Sequence, residues 1–227
     1  MLPGSGSDDV FVRAAFGGPL RELGIGLHAP VPRRGRDVVA GYRAALDAAL
    51  DRADGPLLVG GVSLGAHVAA RWAAEHPGQV AGLLLALPAW GGDPAGAPAA
   101  LAARHTAARV RRDGLGATLD AVRADTPRWL ADELARAWTG YGPGLADALE
   151  AAAAEPGPDD GELAALDVPA GVVGVSGDGV HPLAEARRWT GLLPRAVLVT
   201  STLAALGADP SVLGRGTLRG WSRAARR

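Results

Sequence analysis

The sequence predicts an α/β fold in which helices flank a mostly parallel sheet. Three observations support this. Strand-like apolar runs alternate with helical patterns over residues 24–87 and again over residues 168–227. One of these runs, Pro56–Val62, passes through Gly61-Val62-Ser63-Leu64-Gly65 directly into a helical pattern. Between residues 91 and 167 the alternation stops, and only helical patterns follow one another.

Composition limits the possible classes of function. The 227 residues are 48% hydrophobic and 21% charged, which is typical of a globular protein of one domain. All 23 basic residues are arginine, mostly scattered, and the net charge is −1, so we expect neither nucleic acid nor a membrane surface as partner. The longest near-apolar run, Val80–Trp90, is too short to span a bilayer.

The chain contains no cysteine. This excludes disulfides, thiolate metal sites and a cysteine nucleophile. We expect a cytoplasmic location, no metal, no cofactor, and a small molecule as substrate or ligand.

The elements before residue 91 can be assigned in order from caps, periodicity and helix breakers. They are a helix begun by Asp8 and Asp9 and ending near Leu23, a buried strand over Gly24–Val31, a helix from Asp37 to Leu50, a strand ending at Val62, a helix ending near Glu75, and a strand over Val80–Leu87.

The elements after residue 90 are assigned in the same way. Helical segments are predicted around residues 97–112, 116–124, 127–138 and 144–154, followed by a loop over residues 155–161, a strand over Val168–Ser176, a helix ending near Leu193, a strand over Pro194–Thr200, a loop over Thr200–Ala208, and a final helix opened by Asp209 and Pro210.

Ser63 lies at the apex of the turn between strand and helix. Glycines two residues before and two after it permit a tight turn in which the backbone is strained and the serine is held outward. This strand, turn and helix resemble the nucleophile elbow of the α/β-hydrolase fold family. The resemblance implies a core of residues 1–90 and 168–227, with residues 91–167 inserted as a helical cap over the active site.

The cap implied by the resemblance would shape the substrate pocket. Trp129, Trp138 and Tyr141 are candidates for lining it. The alternative is that these aromatic residues only pack between helices.

In the family, two backbone N–H groups hold the oxyanion. The stretch Pro3-Gly4-Ser5 resembles the turn that supplies one of them, so the resemblance implies the N–H groups of Ser5 and Leu64. The alternative is a flexible glycine-serine terminus. In the family this turn follows a central strand of the sheet. That strand would have to lie before Leu2, where the given sequence has almost no residues, so we expect the strand to be truncated. We expect either that the natural chain begins upstream or that the sheet closes over the gap.

The family's acid follows the strand after the cap, and Asp178-Gly179-Val180-His181-Pro182 matches that pattern. Asp178 is therefore the candidate acid. The alternative is an aspartate that caps a turn or helix. Asp93, after the Val80 strand, is a second possible position for the acid.

At the position of the base, the sequence departs from the family's pattern. The base would lie in the loop after the last strand, at about Leu203, yet no histidine follows His181. A serine hydroxyl needs a base within hydrogen-bond reach. We take His181, three residues beyond Asp178, as the candidate base; it could instead cap the next helix or face solvent.

Four other histidines remain as alternatives to His181. His28 lies near the end of its predicted strand, and His67 lies one turn past Ser63 under the elbow helix. His105 would need the cap to fold it inward, and His76 suits a helix C-terminus.

The resemblance implies a serine hydrolase that acts on a small ester, lactone or other acyl substrate through an acyl-Ser63 intermediate. The alternative is a non-catalytic protein of the same fold, a pseudoenzyme that binds a ligand or partner, since Leu203 occupies the histidine position. An imidazole nitrogen within hydrogen-bond distance of the Ser63 hydroxyl would favour the hydrolase.

Overall fold

A parallel sheet of four strands forms the centre of the protein, as the computed structural model of residues 1–227 describes it. The strands follow one another across the sheet in chain order: β1 (Leu57–Val62), β2 (Val80–Ala86), β3 (Ala170–Ser176) and β4 (Ala196–Thr202). All four carboxyl ends therefore lie at one edge of the sheet, where ligands bind in open α/β folds.

Ten α-helices surround the sheet. They are α1 (Asp9–Glu22), α2 (Val38–Leu50), α3 (Leu64–Glu75), α4 (Pro98–Asp125), α5 (Arg128–Tyr141), α6 (Leu145–Ala154), α7 (Asp160–Ala164), α8 (Leu183–Leu192), α9 (Leu203–Ala208) and α10 (Ser211–Ala224). Short 3₁₀ turns lie at Gly35–Asp37 and Gly142–Gly144. None of these helices combines the length and the apolar character needed to cross a bilayer.

The two faces of the sheet are covered by different helices. On β2, Leu84 and Ala86 face a cluster shared with α1 and α10, while Leu83 and Leu85 face a larger cluster that includes α2, α3 and α8. Side chains alternate between the faces of a strand, so a strand covered on both sides must be apolar at nearly every position. This explains the continuous apolar run of β2.

The helices between β2 and β3 confirm that the alternation stops there. Two of the predicted segments are joined in α4, which is broken at Gly114, where φ is 83°. The end of the predicted loop over residues 155–161 is already helical, because Asp159 caps α7 and accepts a hydrogen bond from the Glu162 amide. The division into a core and a cap of residues 91–167 stays a prediction.

The strand predicted over Gly24–Val31 is wrong. This stretch has no regular structure, although Leu27 and Ala29 pack inward in an alternating manner. A strand requires a backbone partner, and the adjacent edge of β1 is met by a single residue, Leu2, which bridges Gly61 in parallel fashion. The expected strand before Leu2 is represented by this one residue.

The loop predicted over Thr200–Ala208 is also wrong. β4 continues to Thr202, and α9 begins at Leu203 with the Thr202 hydroxyl accepting a hydrogen bond from the Ala205 amide at 3.1 Å. A threonine cap of this kind is a helix start signal. The position at which the family pattern would place its base is therefore the first residue of a helix.

Candidate active site

The turn after β1 holds Ser63 in a strained backbone conformation. Its φ is 52° and its ψ is −117°, and the residue is 3% exposed. A Cβ added to Gly65 would lie 2.3 Å from the carbonyl oxygen of Leu2, and one added to Gly61 would lie 2.5 Å from the same oxygen. The two glycines are therefore required by close backbone approach, as the sequence pattern predicted.

The Ser63 hydroxyl lies within hydrogen-bond distance of one imidazole, that of His181. The distance from Ser63 Oγ to His181 Nε2 is 3.0 Å, and His181 Nδ1 lies 2.8 Å from Asp178 Oδ2. Because Nδ1 faces a carboxylate, it carries the proton in neutral imidazole, which leaves the Nε2 lone pair directed at the serine hydroxyl. The arrangement of hydroxyl, imidazole and carboxylate is that of a nucleophile, a general base and an orienting acid.

The carboxylate of Asp178 is fully engaged within its own turn. Oδ1 accepts from the backbone N–H groups of Val180, at 2.8 Å, and His181, at 3.1 Å, while Oδ2 accepts from the imidazole. Burial acts to raise the pKa of Asp178, but the hydrogen bond and charge of His181 and the two backbone N–H groups outweigh it, so the pKa lies below its usual value. Asp178 therefore stays ionised opposite the imidazole.

The turn that carries His181 lies beside the start of α9. Ser176 at the end of β3 pairs with Thr202 at the end of β4, so the turn after β3 and the start of α9 lie side by side. A Cβ added to Gly177 would lie 3.9 Å from the Cβ of Leu203. The turn after β3 therefore lies next to the position of the family's base, and its own histidine makes the contact with Ser63.

None of the other four imidazoles is bonded to the Ser63 hydroxyl. His28 and His105 are exposed, and His76 stacks on Trp72 with its Nδ1 2.7 Å from the Trp72 carbonyl oxygen. Partial burial lowers the pKa of His28, and the positive charges of the chain's amino group, Arg52 and Arg13 add to this effect.

His67 is fully buried and holds the backbone that follows β2. Its Nε2 accepts the N–H of Ala89 at 3.0 Å, with the N–H of Trp90 at 3.4 Å, and its ring lies between those of Trp90 and Trp189. Burial, with a smaller effect from the charge of His181, lowers the pKa of His67 to about 3. It is therefore a neutral structural group near neutral pH.

Two free backbone N–H groups flank Ser63. Leu64 is the first residue of α3, and the first N–H groups of a helix have no acceptor within it. The amide of Ser5 donates to no backbone carbonyl, and Ser5 lies in a turn closed by the Ser7 amide and the Gly4 carbonyl at 3.1 Å. A Cβ added to Gly4 would lie 3.5 Å from that of Ser63. The turn is thus packed against the serine, which favours the turn over a flexible terminus.

A cavity of about 360 Å³ opens at Ser63, His181 and Asp178. Side chains of α4 and α5 form much of its wall, and Leu203 and Leu206 of α9 complete it. Of the three aromatic candidates, Trp129 and Trp138 line it. Tyr141 does not line it, and its hydroxyl instead donates to the Ser7 carbonyl oxygen at 3.0 Å.

One cavity residue, Glu133 on α5, was not identified from the sequence. A single carboxylate among 24 acidic residues carries no local signal, and only the fold of α5 over the site brings it to the cavity. No group of three or more His, Cys, Asp or Glu side chains is arranged to hold a metal ion. Asp93, the alternative acid, is bonded to the Ala95 amide in its own loop and is absent from the cavity wall.

Comparison with solved structures identifies the fold. An esterase from Thermogutta terrifontis is 21% identical with a TM-score of 0.64, over 98% of this chain and 88% of that one. An enol-lactonase from Burkholderia xenovorans is 18% identical with a TM-score of 0.62, over 89% of this chain and 81% of that one. A hydrolase from Oleispira antarctica is 14% identical with a TM-score of 0.65, over 93% of this chain and 87% of that one.

No protein-family model and no curated protein sequence matches the chain. The structural likeness extends over nearly the whole chain. The protein has the α/β-hydrolase fold, as the elbow predicted.

Proposed function

We propose that the protein is a serine hydrolase that cleaves a small ester, lactone or other acyl substrate. The observation that carries the proposal is the pair of contacts made by His181, at 3.0 Å to Ser63 Oγ and at 2.8 Å to Asp178 Oδ2. A serine hydroxyl becomes an effective nucleophile when a base of this kind accepts its proton. Structural neighbours that include an esterase and an enol-lactonase support the substrate class.

In the first half of the proposed reaction, Ser63 Oγ attacks the carbonyl carbon of the substrate while His181 Nε2 takes the hydroxyl proton. The negative charge on the carbonyl oxygen is held by the N–H groups of Leu64 and Ser5. Collapse of this intermediate breaks the bond to the leaving oxygen, which receives the proton from His181. The acyl group then remains on Ser63.

In the second half, His181 takes a proton from water, which attacks the acyl-Ser63 carbonyl. Collapse of the second intermediate returns the proton to Ser63 and releases the carboxylic acid. Asp178 stabilises the imidazolium in both halves by its hydrogen bond to Nδ1. No cofactor or metal is needed for these steps, and we retain the expectation of a cytoplasmic location as part of the proposal.

The alternative of a non-catalytic protein rested on Leu203 occupying the position of the family's histidine. His181 makes the contact with Ser63 that this position would have supplied, so no observation now favours the alternative. It remains the outcome to which a negative result would point.

The test is turnover of para-nitrophenyl butyrate by the full-length protein. We expect hydrolysis that is lost in Ser63→Ala and retained in Ser222→Ala, where the replaced serine lies on α10 outside the cavity wall. Hydrolysis that persists in Ser63→Ala, or its absence from the folded wild-type protein, would contradict the proposal.

A further inference from the structure

The charged groups of the cavity wall are few. No arginine lines the cavity and the chain has no lysine, so two carboxyl groups, Asp178 and Glu133, are the only acidic or strongly basic side chains there. Both oxygens of Asp178 are bonded within its turn. Glu133 is therefore the one carboxylate of the wall that has an oxygen without any donor in the protein.

The partner of Glu133 neutralises it only in part. Arg136 donates to Glu133 Oε1 and also to Asp8 Oδ2, so one guanidinium serves two carboxylates. Glu133 Oε2 has no donor in the protein, and Arg136 is not part of the cavity wall. The group formed by Asp8, Glu133 and Arg136 carries a net charge of −1, and its member at the cavity is a carboxylate.

Glu133 is also partly withdrawn from water. Its side chain is 27% exposed. Burial raises the pKa of its carboxyl, and the Arg136 guanidinium opposes this rise. Charges are screened less in such a setting than on an open surface.

We infer that Glu133 makes this cavity select by charge, so that neutral and cationic acyl groups are accepted and anionic ones are rejected. That the substrates are esters rests on the proposed function. The charge preference rests on the cavity alone. An anionic substrate would meet a carboxylate and find no cation in the wall to pair with it, which costs free energy. A cationic group would meet Glu133 Oε2 as a free acceptor.

The kinetic test uses three para-nitrophenyl esters that share a leaving group: the hexanoate, the half-ester of adipate and the ω-trimethylammonio-hexanoate. In the wild type we expect kcat/KM for the adipate half-ester to be lowest. In Glu133→Gln, the ratio of kcat/KM for the adipate half-ester to that for the hexanoate should rise by about five- to tenfold, the effect of one partly screened charge. In the same variant, the ratio of kcat/KM for the cationic ester to that for the hexanoate should fall.

Asp132→Asn is the matched control. It removes the same charge from the same helix, but Asp132 is exposed and lies outside the cavity wall. We expect its ratios to equal those of the wild type. A charge preference that is equal in the wild type, Glu133→Gln and Asp132→Asn would overturn the inference.

A binding test separates this inference from the proposed function. Calorimetry on Ser63→Ala, with and without Glu133→Gln, would measure hexanophenone and its ω-carboxylate and ω-trimethylammonium derivatives, none of which can be hydrolysed. Weaker binding of the carboxylate that is relieved by Glu133→Gln supports charge selection even if no ester is turned over. Equal affinity for the three ketones, or no effect of Glu133→Gln, refutes it even if esters are hydrolysed.

Discussion

His181 Nε2 lies 3.0 Å from Ser63 Oγ, although 118 residues separate them along the chain. The imidazole reaches the serine from the same turn as its acid, because Asp178 precedes His181 by three residues and bonds both its backbone and its ring. The proposed acid and base therefore form one local unit at the end of β3. In the family pattern, by contrast, the base follows the last strand.

Asp178→Asn tests the orienting role of the acid. Asparagine can still accept the two backbone hydrogen bonds, so the turn should persist, but its amide cannot stabilise the imidazolium. We expect kcat/KM for para-nitrophenyl butyrate to fall roughly a hundredfold to ten-thousandfold. Asp93→Asn is the control for the alternative acid and should leave kcat/KM unchanged. An equal loss in both variants would contradict the assignment.

His181→Ala and Ser63→Ala should show strong coupling. Either substitution alone removes a part of the same machinery, so we expect each to lower kcat by about a thousandfold or more. The double variant should be no slower than Ser63→Ala, because the base has no function without the nucleophile. Multiplicative losses in steady-state kinetics would show that the two residues act independently.

Gly65→Ala tests whether the elbow is required for folding as well as for the position of the serine. The added Cβ would meet the backbone of Leu2 at 2.3 Å and of Pro3 at 2.7 Å, and backbone cannot move aside cheaply. We expect the free energy of unfolding in urea to fall by more than about 2 kcal/mol.

Gly140→Ala provides the matched control for Gly65→Ala. Gly140 is exposed on α5, is not followed by proline, and has nothing within 4 Å of an added Cβ. Replacing a helical glycine by alanine should raise stability by about 0.5–1 kcal/mol. A similar effect of the two substitutions would contradict the claim that close backbone approach requires Gly65.

His67 should make the protein less stable in acid. Burial lowers its pKa in the folded state to about 3, whereas an unfolded histidine titrates at about 6.5. The unfolded state therefore binds a proton that the folded state does not, and stability should fall by about 1.4 kcal/mol per pH unit below about pH 6.5. This contribution is complete above pH 6.5 and is lost progressively as the pH falls towards 3.

Urea unfolding of the wild type and of His67→Gln between pH 7 and 4 would measure the contribution of His67. Because glutamine cannot titrate, the free energy of unfolding of His67→Gln should depend less steeply on pH than that of the wild type. His105→Gln, which replaces an exposed histidine, is the control and should follow the wild type. Parallel curves for all three proteins would exclude His67 as the acid-sensitive group.

Local features of the site could be predicted from the sequence. The elbow at Ser63 is encoded by two glycines that lie within the same five residues, and the cap of α1 by Asp8. Asp178 was proposed as the acid because Asp178-Gly179-Val180-His181-Pro182 matches the short pattern that the family has after this strand. Such signals are contained in the stretch that they describe.

Features that depend on distant parts of the chain were not fixed by any local pattern. His181 was one of five histidine candidates, and only the parallel pairing of β1, β2 and β3 brings its turn to the sheet edge that carries Ser63. Glu133 reaches the cavity through the packing of α5, which no local pattern encodes. The strand predicted over Gly24–Val31 was wrong for the same reason. Its periodicity is a local property of the sequence, whereas a strand also needs a partner strand from elsewhere in the chain.

The most direct test of the central claim, that His181 activates Ser63, is the rate at which an alkyl fluorophosphonate modifies the full-length protein. Mass spectrometry of the labelled peptide identifies the residue, and the rate is compared between the wild type and His181→Gln. We expect modification at Ser63 in the wild type and a rate slower by about a thousandfold in His181→Gln. No modification of the folded wild type at Ser63, or equal rates in the two proteins, would contradict the account.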